Sequence, residues 1–302
     1  MTLLSLIAAI AQIILGGVVR VTGSGDACPD WPLCHGQIIP PFEYHIWLEF
    51  THRLVASGVG LLVLASLVLA WRHFRTLKPV MLATSASMVL VVAAAILGGL
   101  TVLSELSWWT RLIHLGLAEL TVAALAIAWL AGHPGDQPGP SQNLESRPSR
   151  RDRTIAWSGL VGLLLVILYG SYMVGVGYGA ICSGWPLCLG ERNPAGTPFL
   201  IHMIHRYMVA IVAVLVFRAC VAAWKRGAAL PQLRWMALLT AGFLIDEIGV
   251  GAFTAWLGSS PVIASLHLTF ATFTWVSMVL MMAVHFDPAT FRVRTKRGKT
   301  AG

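Results

Sequence analysis

Charged residues are scarce in this chain of 302 residues. They make up 11% of the sequence against 57% hydrophobic residues, and only 13 are acidic. Soluble domains carry about 25% charged residues, so this composition excludes an ordinary soluble globular protein. The apolar residues gather in eight runs long enough to cross the hydrocarbon core of a bilayer. The predicted spans are 2–20, 47–71, 79–103, 110–131, 155–177, 199–224, 235–257 and 262–285.

The first span lacks the basic residues that begin a signal peptide, and it leads directly into a repeated motif, so we expect it to remain as a helix. The net charge of +8 does not indicate nucleic-acid binding, because 15 of the 21 Lys and Arg lie in four segments, which are alternate loops and the tail. Such loops are cytoplasmic in membrane proteins, so we predict a plasma-membrane protein with both termini in the cytoplasm. The four basic segments are 72–78, 147–153, 225–234 and 292–299.

The second half of the chain repeats the first, with histidines, arginines and cysteines kept in register at offsets of 153 or 154 residues. Such a repeat indicates two copies of one structural unit. One mismatch stands out chemically, because Glu49 is matched by His202. The matched residues are His52 with His205, Arg53 with Arg206, His114 with His267, Cys28 with Cys182 and Cys34 with Cys188.

We predict an all-α integral membrane protein of eight transmembrane helices, arranged as two tandem pseudo-symmetric four-helix bundles. Because four helices is an even number, both copies would have the same topology and be related by an axis along the membrane normal. The N-terminal bundle would cover 1–131 and the C-terminal bundle 154–287. Residues 132–153 are predicted as a flexible cytoplasmic linker, and 288–302 as a basic cytoplasmic tail.

Four histidines are predicted at one depth, a few residues below the outer ends of helices 2, 4, 6 and 8. Two parallel-running helices with His at equal depth can clamp a metal, and heme iron suits a pair of facing imidazoles in a bundle. Zinc would need more ligands, and no carboxylate or thiol repeats beside these residues. Each half therefore offers one bis-His heme site. The pairs are His52 with His114 and His205 with His267.

Arg53 and Arg206 each follow a predicted ligand directly, and two interpretations stay open. Arginine binds carboxylates in a bidentate manner, which favours an ion pair with a heme propionate. The alternative is an arginine that extends to the membrane interface.

Glycines lie near the outer ends of the odd-numbered helices. Small residues allow close helix packing, and they would also leave room for a large flat ligand, so both interpretations are retained. These glycines are Gly16, Gly17, Gly98, Gly99, Gly170, Gly175, Gly249 and Gly251.

The two cysteine pairs have five intervening residues each and lie in the predicted outer loops 21–46 and 178–198. We predict disulfides Cys28–Cys34 and Cys182–Cys188, because these loops face an oxidising compartment. A structural and a redox-active role stay open. A metal site that includes His35 is disfavoured, because Leu189 stands at the corresponding position.

Glu49 precedes His52 by three residues, so both side chains project from one face of the helix toward the same heme. The alternative role for Glu49 is a charge in the first helical turn, favoured by the helix dipole. The roles of the other intramembrane acids, Glu119, Asp246 and Glu247, are left open.

Taken together, these motifs resemble the heme A synthase family over about residues 5–286. The matching elements are Gly23-Ser24-Gly25, Cys28 to Gly36, Glu49-x-x-His52-Arg53, His114, His205-Arg206 and His267. The resemblance implies that heme O is oxidised at a methyl group to the formyl of heme A by successive hydroxylations, for cytochrome oxidase assembly.

The resemblance also implies the site residues. His205 and His267 would hold heme b as a cofactor, the substrate heme O would lie near His52, Arg53 and His114, and Glu49 would be catalytic. Expected partners are the lipid bilayer, heme O synthase and an electron acceptor such as a quinone, and homo-oligomerisation is left open. Two rival functions are a di-heme electron-transfer cytochrome, which does not need Glu49, and a thiol oxidoreductase, which does not need four histidines.

Overall fold

A computed structural model describes residues 1–132, 148–190, 194–227 and 231–286. This part of the chain is helical and contains no β-strand beyond one isolated bridge between Cys34 and Gln37. The eight helices are α1 (Thr2–Val21), α2 (Tyr44–Phe74), α3 (Lys78–Leu103), α4 (Trp108–Gly132), α5 (Arg150–Gly175), α6 (Thr197–Arg226), α7 (Pro231–Leu257) and α8 (Pro261–Phe286).

All eight helices are long and apolar enough to cross a membrane. Many of their large apolar side chains are exposed on the outside of the bundle, which is the expected arrangement where lipid, rather than water, surrounds the helices. The architecture is that of an all-α multi-pass membrane protein, as predicted.

The helix boundaries differ from the prediction mainly at polar ends. Helices α2 and α6 extend beyond their predicted apolar runs by three and two residues at each end, because a helix can continue into polar sequence such as Lys225-Arg226. Helix α5 begins at Arg150, so the predicted linker is wrong over 150–153. Ser149 caps that helix by accepting a hydrogen bond from Asp152 N at 3.0 Å, which stabilises a charged first turn. Gly132 ends α4, so the predicted linker is also wrong at this residue. Residues 133–147 of the linker lie outside the described residues, as does the predicted tail.

Helices α1–α4 contact one another in a closed ring, and helices α5–α8 form a second ring. The rings meet along a seam where α1 and α4 pack against α5 and α8. Near its middle, Thr272 Oγ1 donates to Glu119 Oε1 at 2.8 Å and Trp275 Nε1 donates to the carbonyl of Glu119 at 2.8 Å. The described residues thus fall into two packed groups, whereas the predicted tandem pseudo-symmetry and domain limits stay predictions.

Candidate functional site

The four predicted histidines lie near one end of the bundle, which we call the disulfide end because it carries the disulfide-bonded segments 22–43 and 176–190. His52 and His205 are the ninth residues of their helices, whereas His114 and His267 are the seventh. At 1.5 Å per residue, all four lie roughly 9–12 Å from the first residue of their helix. His52 interacts electrostatically with His114, and His205 with His267, so the predicted pairs are brought together.

Each of these histidines packs against a glycine of the preceding helix. A Cβ added to any one of the four glycines would lie 2.9–3.2 Å from the imidazole Cε1, closer than ordinary van der Waals contact. The glycines therefore make room for the imidazole rings, which is more specific than general helix packing. The contacts are Gly16 with His52, Gly98 with His114, Gly170 with His205 and Gly251 with His267.

In each of the four contacts, the ring atom nearest the glycine is Cε1, which lies between the two ring nitrogens. His114 Nδ1 lies 2.9 Å from the carbonyl oxygen of Ala94, so Nδ1 carries the proton and Nε2 keeps its lone pair. The Nδ1 atoms of His205 and His267 are buried without a hydrogen bond. This arrangement leaves Nε2 for a ligand and fits an axial pair on heme iron. No group of three or more metal-ligating side chains occurs in the described part of the chain.

His52 differs from the other three because a side-chain amide hydrogen-bonds to its ring. Gln12 Nε2 lies 2.9 Å from His52 Nδ1 and donates to the carbonyl of His52 at 3.0 Å, whereas Gln12 Oε1 is buried without a partner. In this orientation the Gln12 amide donates toward Nδ1, which favours the His52 tautomer with its proton on Nε2. Gln12 is thus placed to fix the tautomer of His52.

Glu49 is buried in the first turns of α2, and its hydrogen bonds run to the first disulfide loop and to its own helix. Cys28 N donates to Glu49 Oε2 at 2.7 Å, and Arg53 Nε donates to Glu49 Oε1 at 3.2 Å. Arg53 Nη2 makes a further, shorter contact with Oε1. The matching His202 is buried, and its Nδ1 has no hydrogen-bond partner.

Arg53 uses all five of its N–H donors within the protein. Besides Glu49, its acceptors are the carbonyl oxygens of Cys28, Asp30 and Leu33, at 2.9, 2.6 and 2.6 Å. A propionate could bind Arg53 only by displacing one of these acceptors. The propionate contact predicted for this residue stays a prediction.

Arg206 holds the second loop in a similar way. Its Nη1 donates to the carbonyl oxygens of Gly184 and Pro186 at 2.6 and 3.0 Å. Both arginines that follow a predicted ligand therefore bind loop carbonyls, and the propionate contact predicted for Arg206 likewise stays a prediction.

Both predicted disulfides are present. The Cα atoms of Cys28 and Cys34 are 4.8 Å apart, and those of Cys182 and Cys188 are 5.1 Å apart. In the first loop, the carboxylate of Asp30 accepts from the backbone N–H groups of Gly36 and His35, and these bonds lower the pKa of Asp30 below its usual value.

The first loop lies close to the N-terminal histidine pair. Trp31 packs against Gly99 of α3, whose neighbour Gly98 contacts His114. This loop therefore reaches the helix that positions one of the two rings.

Asp246 and Glu247 face in different directions on α7. Asp246 is exposed, whereas Glu247 Oε1 lies 3.2 Å from His267 Nδ1, without the alignment of a hydrogen bond. Ala94 occupies the position of Glu247 in the first half, so this carboxylate contacts one histidine pair only.

Three polar residues near the first histidine pair were not predicted: Gln12, Arg20 and Arg111. A comparison of the two halves of the sequence could have predicted them, because each of these polar residues is matched by an apolar residue in the second half. The counterparts of Gln12, Arg20 and Arg111 are Val166, Val174 and Ala264.

Comparison with known proteins gives the family. Residues 1–45 and 41–279 match the family model described as cytochrome oxidase assembly protein. The chain belongs to this family. A similar protein from Exiguobacterium sp., named heme A synthase, is 27% identical over 257 residues, covering 84% of this chain and 82% of the relative.

Two further family members carry the same name. The heme A synthase of Alkalihalophilus pseudofirmus is 22% identical over 281 residues, covering 90% of this chain and 94% of its own length. That of Staphylococcus aureus is 26% identical over 292 residues, covering 90% and 91%. The family predicted from the motifs is therefore confirmed.

Proposed function

We propose that the protein is a heme A synthase, which oxidises a methyl group of heme O to the formyl of heme A by successive hydroxylations. The observation that carries the proposal is two histidines in each half, each with its ring packed on a glycine, together with a buried carboxylate, Glu49, whose matched position in the second half is His202. A protein that only passed electrons between two hemes would not need this difference. The family match supports the same function.

Two roles are assigned to the two histidine pairs. His205 and His267, in the C-terminal bundle, would hold heme b, which supplies reversible one-electron transfer when bound. His52 and His114, in the N-terminal bundle, would hold the substrate heme O. The tight glycine contacts fix the position of each imidazole ring that would hold a heme.

Glu49 is assigned as the catalytic residue. Oxidation of a methyl carbon on a porphyrin develops positive charge at that carbon, and a nearby carboxylate stabilises it or accepts a proton from attacking water. Burial of a carboxylate is costly unless it is hydrogen-bonded. Cys28 N and Arg53 provide these bonds, so Arg53 acts as a positioning residue for Glu49.

The proposed location is the plasma membrane, with both termini in the cytoplasm and the disulfide end outside. This orientation rests on the basic segments of the alternate loops. Heme O would come from heme O synthase within the bilayer, and the electrons removed would pass to an acceptor such as a quinone.

Pigment extraction after expression in a host that makes heme O tests the proposal. Heme A or a hydroxylated heme O in the extract supports it. Heme B alone indicates a di-heme electron-transfer cytochrome, and no heme indicates a thiol oxidoreductase, so either result would overturn it.

A further inference from the structure

Two arginines meet at the disulfide end of the seam. Arg20, at the end of α1, donates to Ser171 Oγ at 3.0 Å and to the carbonyl of Ser171 at 2.7 Å. Arg111, in the first turn of α4, donates to the carbonyl of Gly175 at 3.3 Å. The two guanidiniums are close enough to repel each other electrostatically.

Neither arginine has an acidic partner among the described residues. The ion pairs in this part of the chain are Arg53–Glu49 and His267–Glu247, and neither includes Arg20 or Arg111. The Nε atoms of both arginines are buried and have no hydrogen-bond acceptor. Two neighbouring cations with unused, buried donors constitute a site that an anion would stabilise.

The position of the two arginines relative to the histidines indicates which anion would bind there. Arg20 lies one turn beyond Gly16, which contacts His52, and Arg111 lies one turn before His114. Both arginines therefore stand on the disulfide-end side of the N-terminal histidine pair. On the seam side, Arg20 binds Ser171, the neighbour of Gly170, which contacts His205. A ligand held by either histidine pair and extending toward the disulfide end would bring its edge to these guanidiniums.

We propose that Arg20 and Arg111 form a carboxylate-binding site that takes porphyrin propionates at the disulfide end of the seam. This inference rests on the proposed function, since the ligand is a heme. It assigns the propionates to residues other than Arg53, whose donors are already used. The carboxylates could belong to the heme at His52 and His114 or to the heme at His205 and His267, and the experiment below distinguishes the two.

The test compares hemin with hemin dimethyl ester, in which both propionates are neutral. Each ligand is titrated into the full-length protein in detergent, and binding is followed by the Soret absorbance. The wild type is expected to bind the free acid more tightly than the ester. Arg20→Gln and Arg111→Gln should each reduce this preference by about tenfold or more, because each removes a hydrogen bond between charged groups. If both variants keep the wild-type preference and also keep their full resident heme, the inference is overturned.

Arg226→Gln is the matched control. Arg226 donates to the carbonyl of His285 at the opposite end of the bundle, so its removal should leave the preference for the free acid unchanged. If Arg20→Gln does not fold, Arg20→Lys keeps the charge and is expected to keep the preference. Loss of the preference in a folded Arg20→Lys protein would count against a charge-based site.

The heme that purifies with the protein separates the two sources. In the two glutamine variants, a loss of resident heme with unchanged affinity for added hemin assigns the carboxylates to the C-terminal pair. Full resident heme with weaker binding of added hemin assigns them to the N-terminal pair. Failure of the proposed function has a different signature, namely a wild type that makes no heme A while it still prefers hemin to its ester.

Discussion

Glu49 and Arg53 are hydrogen-bonded to each other one turn apart on α2, and both bind the backbone of Cys28. Glu49 accepts from Cys28 N at 2.7 Å, and Arg53 donates to the carbonyl of Cys28 at 2.9 Å. The acid proposed to act on the substrate and the first disulfide loop are therefore parts of one hydrogen-bonded unit.

Glu49→Gln keeps the size of the side chain and removes its charge. We expect heme binding to persist, whereas heme O or a partly oxidised intermediate accumulates with little heme A, because the charge that assists oxidation is gone. Chromatography of extracted hemes measures the outcome. His202→Ala is the control at the matched position and should leave heme A formation within a few-fold of normal. Full heme A production by Glu49→Gln would place the catalysis elsewhere, with Glu119 the next residue to test.

Arg53→Lys keeps the charge but cannot satisfy the same set of acceptors. A hydrogen bond from a charged donor stabilises the folded loop by about 1.5–3 kcal/mol, and the variant loses at least one such bond. We therefore expect the backbone amides of the Cys28–Cys34 loop to exchange hydrogen at least about tenfold faster. Hydrogen exchange with mass spectrometry measures the rate. Arg206→Lys should affect only the loop containing Gly184 and Pro186. Unchanged exchange in the first loop would show that Arg53 does not hold it.

His205→Ala and His267→Ala should each lose the tightly held heme b while the helices remain folded. The reason is that a facing pair of imidazoles needs both members for six-coordinate, low-spin iron. Optical spectra of the purified variants measure the loss. His285→Ala removes a buried histidine at the other end of the bundle and should keep the spectrum. A low-spin spectrum unchanged after either ligand substitution would rule out the assignment.

Gly170→Ala should also lower the heme b content, although residue 170 is proposed to touch no heme. Its new Cβ would lie 3.2 Å from His205 Cε1 and would displace the ring. Gly58→Ala is a suitable control, because a Cβ there meets nothing within 4 Å. Heme content per protein is the measurement. Equal content in the two variants would mean that the glycine contact does not position the ligand.

Cys28–Cys34 and Cys182–Cys188 should be disulfides in the protein as isolated, since both pairs are bonded and buried. Alkylation before denaturation, followed by mass spectrometry, should leave all four cysteines unlabelled. Cys220, the free cysteine in the described residues, should become labelled only after unfolding, because it too is buried. Labelling of all four loop cysteines in the folded protein would contradict the pairing.

Features that depend on one helix or on the repeat could be predicted from the sequence. The apolar runs predicted the number of helices in the described part of the chain, and the repeat predicted both disulfides. Helix ends were less predictable, as at Arg150, because a capping serine extends α5 into polar sequence.

Contacts between helices could not be predicted in the same way. The sequence does not say that Gly16 meets the ring of His52, since this depends on how α1 and α2 are rotated. Nor does it say that Arg53 turns toward loop carbonyls. Arg20 and Arg111 could have been singled out from the sequence. Both lie outside the four basic segments, and the residues at their matched positions are apolar.

The hydrogen bond between Glu119 and Thr272 joins two positions that the repeat matches with each other. These residues are 153 positions apart, so each is the counterpart of the other, and they meet across the seam. A homodimer of identical four-helix units would set glutamate against glutamate, or threonine against threonine, at this point. In this chain the two matched positions differ, so a hydroxyl donor meets a carboxylate acceptor there. One chain with two different copies of the predicted repeat can therefore form this contact, which two identical subunits related by a two-fold axis could not.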